Sequence, residues 1–234
     1  RKLLNYKTKT DLKNGIIKLY NVPQEKITVI YRGIDEEIFN LEKINEILLN
    51  NFIIKHNIVN DKKIILFPGR LTPWKGQIEF IDVLKKLKYK DFFCYFVGDD
   101  KNKNFTKKLS LKINNSGLNE NCKIVGHIDS MKYFYQLSHV VVNASQKPEG
   151  FGRVVAEAMA MGKPVVAYNH GGVSEQISIY ENSFKIPINN YQKMALAIDN
   201  FLTMPQDSIY TLGQMSSAFV KKNFTKKSMV SHTL

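Results

Sequence analysis

Features typical of several common protein classes are scarce in this sequence. Only two of its 234 residues are cysteine, and both, Cys94 and Cys122, lie in apolar strand-like runs, where buried reduced thiols are more typical than a disulfide or a metal site. Its five histidines show no metal-ligand spacing, so we predict no bound metal. No apolar run approaches the roughly 18 residues of a transmembrane helix, and no signal-peptide pattern occurs. These absences predict a cytoplasmic protein.

Arginine is also scarce, although the chain is strongly basic, with 34 Lys plus Arg and a net charge of +13. Its arginines are Arg1, Arg32, Arg70 and Arg153. Lysine clusters at residues 7–18, 85–90, 101–112 and 221–227. Such a charge favours nucleic acid, an anionic membrane or an acidic ligand as a partner. The lysines fall at polar positions without interleaved aromatic residues, so we expect no nucleic-acid partner. Peripheral contact with an anionic membrane, at the inner face, stays open.

Apolar strand-like runs alternate with amphipathic segments of helical length. The strand-like runs are residues 26–31, 63–67, 92–97, 123–125, 139–144, 164–167 and 184–188. The main helix-like segments are residues 8–20, 41–55, 73–87, 104–115, 130–137, 151–161 and 173–178, followed by helix alone after residue 205. Asp129 is placed to cap the helix at 130–137, and Gly117 and Gly162 to end the two helices that precede them. This alternation predicts an α/β fold with a parallel, Rossmann-like sheet.

Glycines follow four of the predicted strands. Gly69, Gly98, Gly126 and Gly150 lie at or just after the carboxyl ends of these strands. Ligands of open parallel sheets bind beyond those ends. The glycines therefore predict a nucleotide site at this edge of the sheet.

The segment 148–157 places two glutamates, Glu149 and Glu157, with seven residues between them at the start of a predicted helix. A strand, a glycine-bearing turn and a helix aim backbone N–H groups and a positive dipole end at one point, which suits a phosphate. Carboxylates beside such a site indicate that hydroxyl groups are bound as well. A sugar joined through a diphosphate to a ribose offers both, and a helix over residues 149–157 would rise roughly 12 Å, about the length of such a ligand. We predict a nucleotide-sugar site.

A second strand-turn-helix pattern, in residues 64–76, supports this prediction. Pro73 suits the first helical position, where its missing N–H costs nothing. Arg70 then lies in the turn and Lys75 in the first helical turn, so both reach the space beyond the strand. A guanidinium fork with an ammonium group suits a diphosphate. Arginine, scarce elsewhere, occurs in both motifs, and lysine lacks its planar fork.

These residues resemble the family-4 retaining glycosyltransferases of the GT-B fold, in particular the bacterial enzymes that build lipopolysaccharide core and related surface polysaccharides. The likeness runs through residues 26–35, 69–76, 148–157 and 171–175. It implies transfer of a hexose from a nucleotide sugar, UDP- or GDP-linked, to a glycan or glycolipid such as lipopolysaccharide core. It also implies that configuration at the anomeric carbon is kept, and that no metal or other cofactor is needed.

The resemblance also implies roles for individual residues. Arg70 and Lys75 would hold the donor diphosphate and neutralise charge on the leaving group, and Glu149 would contact the transferred sugar. Seven further residues would bind the donor: Gly69, His127, Ile128, Gly150, Phe151, Gly152 and Glu157. Among these, Glu157 would bind the ribose hydroxyls, and His127 with Ile128 would lie against the base.

The GT-B fold has two Rossmann-like domains, and the resemblance covers chiefly the second. Residues 1–40 are interpreted as a remnant of the N-terminal acceptor domain, 41–60 as a linker helix, 61–204 as the nucleotide-sugar-binding domain and 205–234 as C-terminal helices that cross back. The sequence begins at Arg1 rather than methionine, which suggests a piece of something longer. The acceptor half is then expected from a missing domain or a separate chain.

Other functions stay open at this point. The chain could be a non-catalytic or split-enzyme fragment that binds nucleotide sugar, or a GT-B enzyme of another kind, such as a sugar-nucleotide epimerase. At the residue scale, Glu149 and Glu157 could be surface acids that favour a helix N-terminus. Arg32 and Asp35 are expected to order the interdomain turn rather than touch substrate.

Overall fold

A six-stranded sheet forms the centre of the molecule in the computed structural model, which describes residues 9–59, 61–181 and 184–233. Every neighbouring pair of strands is parallel, in the order β3-β2-β1-β4-β5-β6. The strands are β1 (Lys63–Pro68), β2 (Phe92–Val97), β3 (Cys122–Gly126), β4 (Val140–Asn143), β5 (Val165–Tyr168) and β6 (Lys185–Ile186). This arrangement confirms the predicted α/β fold with a parallel, Rossmann-like sheet.

The central strands read as continuous apolar runs because helices cover both faces of the sheet. Along β1, Ile64 and Leu66 join one buried cluster, while Ile65 and Phe67 join the other. Five helices pack on the first face: α2 (Glu46–His56), α5 (Met131–Leu137), α6 (Arg153–Ala160), α7 (Gly171–Gln176) and α9 (Gln206–Asn223). Three pack on the second: α3 (Gln77–Leu84), α4 (Lys103–Asn115) and α8 (Tyr191–Thr203).

The ends of the described chain are helical as well. Helix α1 (Lys9–Tyr20) precedes the sheet, and α10 (Lys226–Ser231) follows α9 after a break at Phe224 and Thr225. The predicted start of the first helix, residue 8, lies outside the described residues. The domain boundaries drawn from the sequence stay predictions. None of the helices that the structure describes is long and apolar enough to span a bilayer.

The predicted strand at residues 26–31 is wrong. Gln24–Lys26 forms a 3-10 turn, and residues 27–31 belong to no strand of the sheet. The nearest β pairing is a single parallel bridge, in which Ile34 N–H donates to Phe224 O and Lys226 N–H donates to Ile34 O. The neighbouring backbone here is the junction of two helices, which offers one such pair instead of a ladder.

Left-handed glycines move the starts of two predicted helices. The segment 73–87 is a 3-10 turn (Pro73–Lys75), then Gly76 at φ 82°, then α3. A side chain on Gly76 would lie 2.2 Å from Ala144 O, so glycine is needed where this turn crosses the β4 loop. Helix α6 likewise begins only after Gly152, at φ 80°. Residues 149–152 are therefore not helical, and the predicted rise of roughly 12 Å for a continuous helix over residues 149–157 is wrong.

The remaining predicted boundaries differ less. Helix α5 begins after Ser130, and Asp129 does not cap it, because the Asp129 carboxylate lies 3.0 Å from His127 Nε2 instead. Gly117 and Gly162 do follow α4 and α6, at φ 68° and 63°. The segment 41–55 holds a 3-10 turn, Leu41–Lys43, before α2, and α7 continues into another, Ile177–Ile179. The predicted strand at 184–188 shortens to β6.

Candidate functional site

A cavity of about 950 Å³ opens beyond the carboxyl ends of β1 to β4. At this edge β1 lies between β2 and β4, so the order of the strands reverses there, and open α/β sheets bind ligands at such switch points. All of the site residues predicted from the sequence line this cavity: Gly69, Arg70, Lys75, His127, Ile128, Glu149, Gly150, Phe151, Gly152 and Glu157. The two motifs that the sequence separates therefore form one site.

An ion pair joins the two motifs. Lys75 Nζ lies 2.8 Å from Glu149 Oε1, and the side chains are only 10% and 12% exposed. The ammonium also lies 4.3 Å from the centre of the Trp74 ring, a cation–π contact. Lys75 is thus held from two sides, and with three N–H donors it retains donors for a ligand.

The carboxylate of Glu149 is held by further hydrogen bonds. Oε1 also accepts from Asn143 Nδ2, at 2.9 Å, and from Ser145 Oγ. Burial raises the pKa of Glu149, but the Lys75 charge and these hydrogen bonds outweigh it and hold the pKa below its usual value. Its other oxygen, Oε2, accepts no hydrogen bond from the residues that the structure describes. Glu149 is therefore an ionised group with one oxygen available in the cavity.

Two glycines at the start of α7 allow the Glu149 loop to sit where it does. Gly172 N–H donates to Glu149 O at 2.7 Å. A side chain on Gly171 would lie 2.6 Å from Glu149 O, and one on Gly172 would lie 2.5 Å from Gly150 O. The motif at 171–175, part of the family resemblance, therefore packs against the Glu149 loop and supports its position.

Glu157 lies on α6 and is almost fully buried, with 7% of its side chain exposed. Tyr135 Oη donates to Oε2 at 2.8 Å, and Arg153 Nη2 donates to Oε1 at 3.0 Å. Burial raises the pKa of Glu157, and the two donors offset only part of that rise. An ionised carboxylate accepts about four hydrogen bonds, so each oxygen can take one more.

Arg70 lies in the loop after β1, with its side chain exposed to solvent. This loop is packed closely against the end of β2, since a side chain on Gly98 would lie 2.0 Å from Gly69 O. Gln77 Nε2 also donates to Arg70 O at 2.9 Å. The backbone at Arg70 is thus fixed on both sides, and the residue lines the cavity.

His127 and Ile128 lie at the far side of the cavity, after β3. The His127 ring is 70% exposed and lies beside Asp129, while Ile128 is buried. Phe151 is buried too, and its ring packs edge-to-face with that of Phe224, with 5.5 Å between the ring centres. The sequence thus places these residues at the cavity, and the structure adds that the Phe151 side chain packs into the core.

Several cavity residues were given no donor-binding role by the sequence interpretation: Arg32, Asp99, Tyr135 and Arg153. Arg32 was expected to order a turn, but it lines the cavity. Tyr135 reaches it from α5, a helix with no motif of its own. The scarcity of arginine, which already marked Arg153 as part of its motif, was the signal that could have found Arg32.

Comparison with known proteins gives a family. Residues 50–217 match the sequence profile described as "Glycosyl transferases group 1". A solved glycosyltransferase from Rickettsia africae is similar with a TM-score of 0.89 and 31% identity, over 95% of this chain and 59% of that one. Anabaena HepE, solved with UDP and glucose, is similar with a TM-score of 0.82 and 25% identity, over 96% and 60%.

Among curated relatives, the lipopolysaccharide 1,2-N-acetylglucosaminetransferase of Salmonella typhimurium is 32% identical over 127 residues, which are 51% of this chain and 33% of that protein. The chain spans about half the length of the curated relatives that it matches over most of its own length. The fold is that of a GT-B glycosyltransferase domain. Because the matched profile covers more than half of the sequence, the chain belongs to the family of glycosyl transferases group 1.

Proposed function

We propose that this chain is the donor-binding half of a retaining hexosyltransferase of the family-4 type. The whole enzyme would move a hexose from a nucleotide sugar to a cell-envelope glycan. The observation that carries the proposal is the Lys75–Glu149 ion pair, which joins the two motifs beside Arg70 at the switch point of the sheet.

The polar groups of the cavity suit the parts of a nucleotide sugar. Arg70 and Lys75 offer N–H donors to a diphosphate. The open oxygen of Glu149 suits a sugar hydroxyl, and the open acceptor sites of Glu157 suit the two ribose hydroxyls. His127 and Ile128, beyond β3, are assigned to the base. These roles follow the resemblance, and the geometry supports them.

The proposed chemistry is stabilisation of a leaving group. As the bond between sugar and diphosphate breaks, the sugar gains oxocarbenium-like positive charge and the diphosphate gains negative charge. Arg70 and Lys75 would stabilise that negative charge from fixed positions, which is the most effective form of electrostatic catalysis. Glu149 would hold the sugar while the acceptor approaches. This scheme requires no metal or other cofactor.

Two relatives support a choice of donor and acceptor. Anabaena HepE was solved with UDP and glucose, which supports a UDP-linked hexose here, with GDP as the other candidate. The Salmonella relative acts on lipopolysaccharide, which supports a glycan or glycolipid acceptor such as lipopolysaccharide core. Such acceptors fit a protein that works in the cytoplasm, in peripheral contact with the inner membrane face.

The test is calorimetric titration with UDP, GDP, ADP and their glucose conjugates, with and without a chelator. We expect selective binding of one nucleotide that does not change with the chelator. Arg70→Ala should weaken it roughly 10- to 100-fold, since a charged hydrogen bond contributes about 1.5–3 kcal/mol. Lys107→Gln, on the exposed face of α4, removes a charge away from the cavity and is the matched control. Unchanged binding after Arg70→Ala combined with Glu149→Ala would contradict the proposal.

A second candidate is a binding-only or split-enzyme fragment, because the described cavity gathers donor-binding groups from the two motifs. It predicts donor binding without transfer by the chain alone. Transfer that begins when an N-terminal partner is added would identify the split enzyme. Conversion of the nucleotide sugar without any acceptor would instead identify an epimerase.

A further inference from the structure

The arginines of this lysine-rich chain converge on one place. Of the four in the sequence, three lie among the described residues, and all three, Arg32, Arg70 and Arg153, line the cavity beyond β1 to β4. They come from separate parts of the chain: the segment before the sheet, the loop after β1 and the start of α6. Arginine differs from lysine in its planar fork of donors, which matches phosphate oxygens. Its retention at these positions points to a ligand with such oxygens.

The ion pairs of the cavity show which cations remain for that ligand. Lys75 is paired with Glu149, and Arg153 with Glu157. Asp99, the third acid of the lining, lies 3.5 Å from Lys101, which is outside the cavity. In the described part of the chain, neither Arg32 nor Arg70 forms an ion pair or a side-chain hydrogen bond. Two guanidinium groups are thus uncompensated, and the diphosphate of a nucleotide sugar carries two negative charges.

The backbone at Arg32 is fixed, although its side chain is exposed. The next residue, Gly33, approaches Thr225 so closely that a side chain on it would lie 2.1 Å from Thr225 C. Ile34 then forms its parallel bridge with the α9–α10 junction, at 2.8 Å in both hydrogen bonds. Arg32 is therefore held at the cavity by the same contact that ties the segment before the sheet to the C-terminal helices.

We infer that Arg32 is a further phosphate-binding residue of the donor site and acts together with Arg70. This inference rests on the proposed nucleotide-sugar function and adds to it a binding residue from outside the two sequence motifs. The ligand group is the diphosphate, bound by one guanidinium from the β1 loop and one from the segment before the sheet. Lys75 completes the set from its paired position beside Glu149.

The experiment is calorimetric titration of UDP and GDP at two ionic strengths into the whole chain and three variants: Arg32→Gln, Arg32→Lys and Lys107→Gln. Arg32→Gln should weaken binding of the preferred nucleotide roughly 10- to 100-fold. Arg32→Lys should recover only part of the loss, because lysine keeps the charge but lacks the fork. Lys107→Gln changes the net charge equally and should leave the affinity within about twofold. The Arg32→Gln loss should shrink at high salt, where exposed charges are screened.

The outcomes separate the inference from the function on which it rests. If the unmodified chain binds no nucleoside diphosphate, the proposed function fails and the inference fails with it. If the chain binds and Arg70→Ala weakens binding roughly 10- to 100-fold, but Arg32→Gln binds as tightly as the unmodified chain, only the inference is overturned. A thermal unfolding midpoint of Arg32→Gln within about 2 °C of the unmodified chain would show that the fold is kept, as expected for an exposed side chain.

Discussion

Glu157 is the residue whose surroundings bear most directly on binding. Its carboxylate is buried between a tyrosine hydroxyl and a guanidinium, and its pKa is raised because burial penalises the charge more than Tyr135 and Arg153 compensate it. Only the ionised form is a strong acceptor for ribose hydroxyls. The raised pKa therefore affects binding and stability in opposite directions.

We expect nucleotide affinity to fall as the pH drops through the raised pKa of Glu157. Stability should change with the opposite sign. Between the ordinary value and the raised one, the folded state binds more protons than the unfolded state, so this residue's contribution to the free energy of unfolding decreases as the pH rises. Titrations and chemical unfolding between about pH 4 and pH 8, with 2′,3′-dideoxy-UDP as the comparison ligand, test both. An affinity for UDP and for the dideoxy analogue that falls equally at low pH would contradict the role of Glu157.

Tyr135→Phe removes one of the two donors to Glu157. We expect roughly tenfold weaker UDP binding near neutral pH, because a hydrogen bond to a charged group contributes about 1.5–3 kcal/mol. The pH at which binding is half lost should also move upward. Tyr180→Phe is the matched control, since the Tyr180 hydroxyl is also buried but lies 3.2 Å from Ser216 Oγ, outside the cavity lining. Equal effects of the two variants on affinity would show that Tyr135 only stabilises the fold.

At the scale of secondary-structure elements, the site depends on how closely its loops approach one another. The α7 N-terminus supports the Glu149 loop by backbone contact, and the turn before α3 crosses the β4 loop in the same way. In both places a glycine stands where any side chain would overlap backbone atoms. The distance between the Lys75 turn and the Glu149 loop is therefore set by glycines that bear no functional group.

Gly171→Ala tests this support. Gly171 has φ 61° and has Glu149 O 2.6 Å from the position of an added Cβ. Gly117 has a similar φ, 68°, but nothing within 4 Å. Gly117→Ala should cost about 1–2 kcal/mol of left-handed strain alone. Gly171→Ala should cost roughly 3 kcal/mol or more and weaken donor binding as well. Chemical unfolding of both variants gives the comparison, and equal costs would contradict the close approach.

At the scale of the whole molecule, the C-terminal helices are joined to the site through one aromatic cluster. Phe224 lies at the break between α9 and α10. The centre of its ring is 5.5–5.7 Å from the ring centres of Phe151, Tyr31 and Phe219. Phe151 in turn lines the cavity. The cluster thus ties together the segment before the sheet, the site and the last helices.

Phe224→Ala should destabilise the fold by about 3–5 kcal/mol, as is usual for a buried phenylalanine, and should weaken donor binding through Phe151. Tyr210→Ala, on the same C-terminal segment but 67% exposed, should stay within about 0.5 kcal/mol. Thermal unfolding together with UDP titration measures both effects. A Phe224→Ala variant that is destabilised yet binds UDP normally would show that the cluster does not reach the site.

The predicted strands and helix starts show which features of the fold are determined by short segments of the sequence. The strand-like runs that became β1 to β5 were placed correctly because a strand covered on both faces is apolar throughout, a signal that needs no knowledge of its neighbours. The run at 26–31 has the same appearance but no neighbouring strand, so it failed as a strand. The starts of α3 and α6 were misplaced because Gly76 and Gly152 adopt left-handed backbone, Gly76 against the β4 loop and Gly152 against Val173 of α7, and such tertiary contacts are not visible in sequence.

The sequence by itself determined the α/β fold, the edge of the sheet where the site lies and the members of two motifs, since apolar periodicity and strand-end chemistry are properties of short segments. Only the tertiary structure decided which charges neutralise one another. It pairs Lys75 with Glu149, and it brings Arg32 to the cavity from outside both motifs, whereas Arg153 and Glu157 are an i,i+4 pair within α6. The reason is that Coulomb interactions depend on distance in space, and Lys75 and Glu149, which are 74 positions apart in the sequence, come together only when β1 and β4 lie side by side.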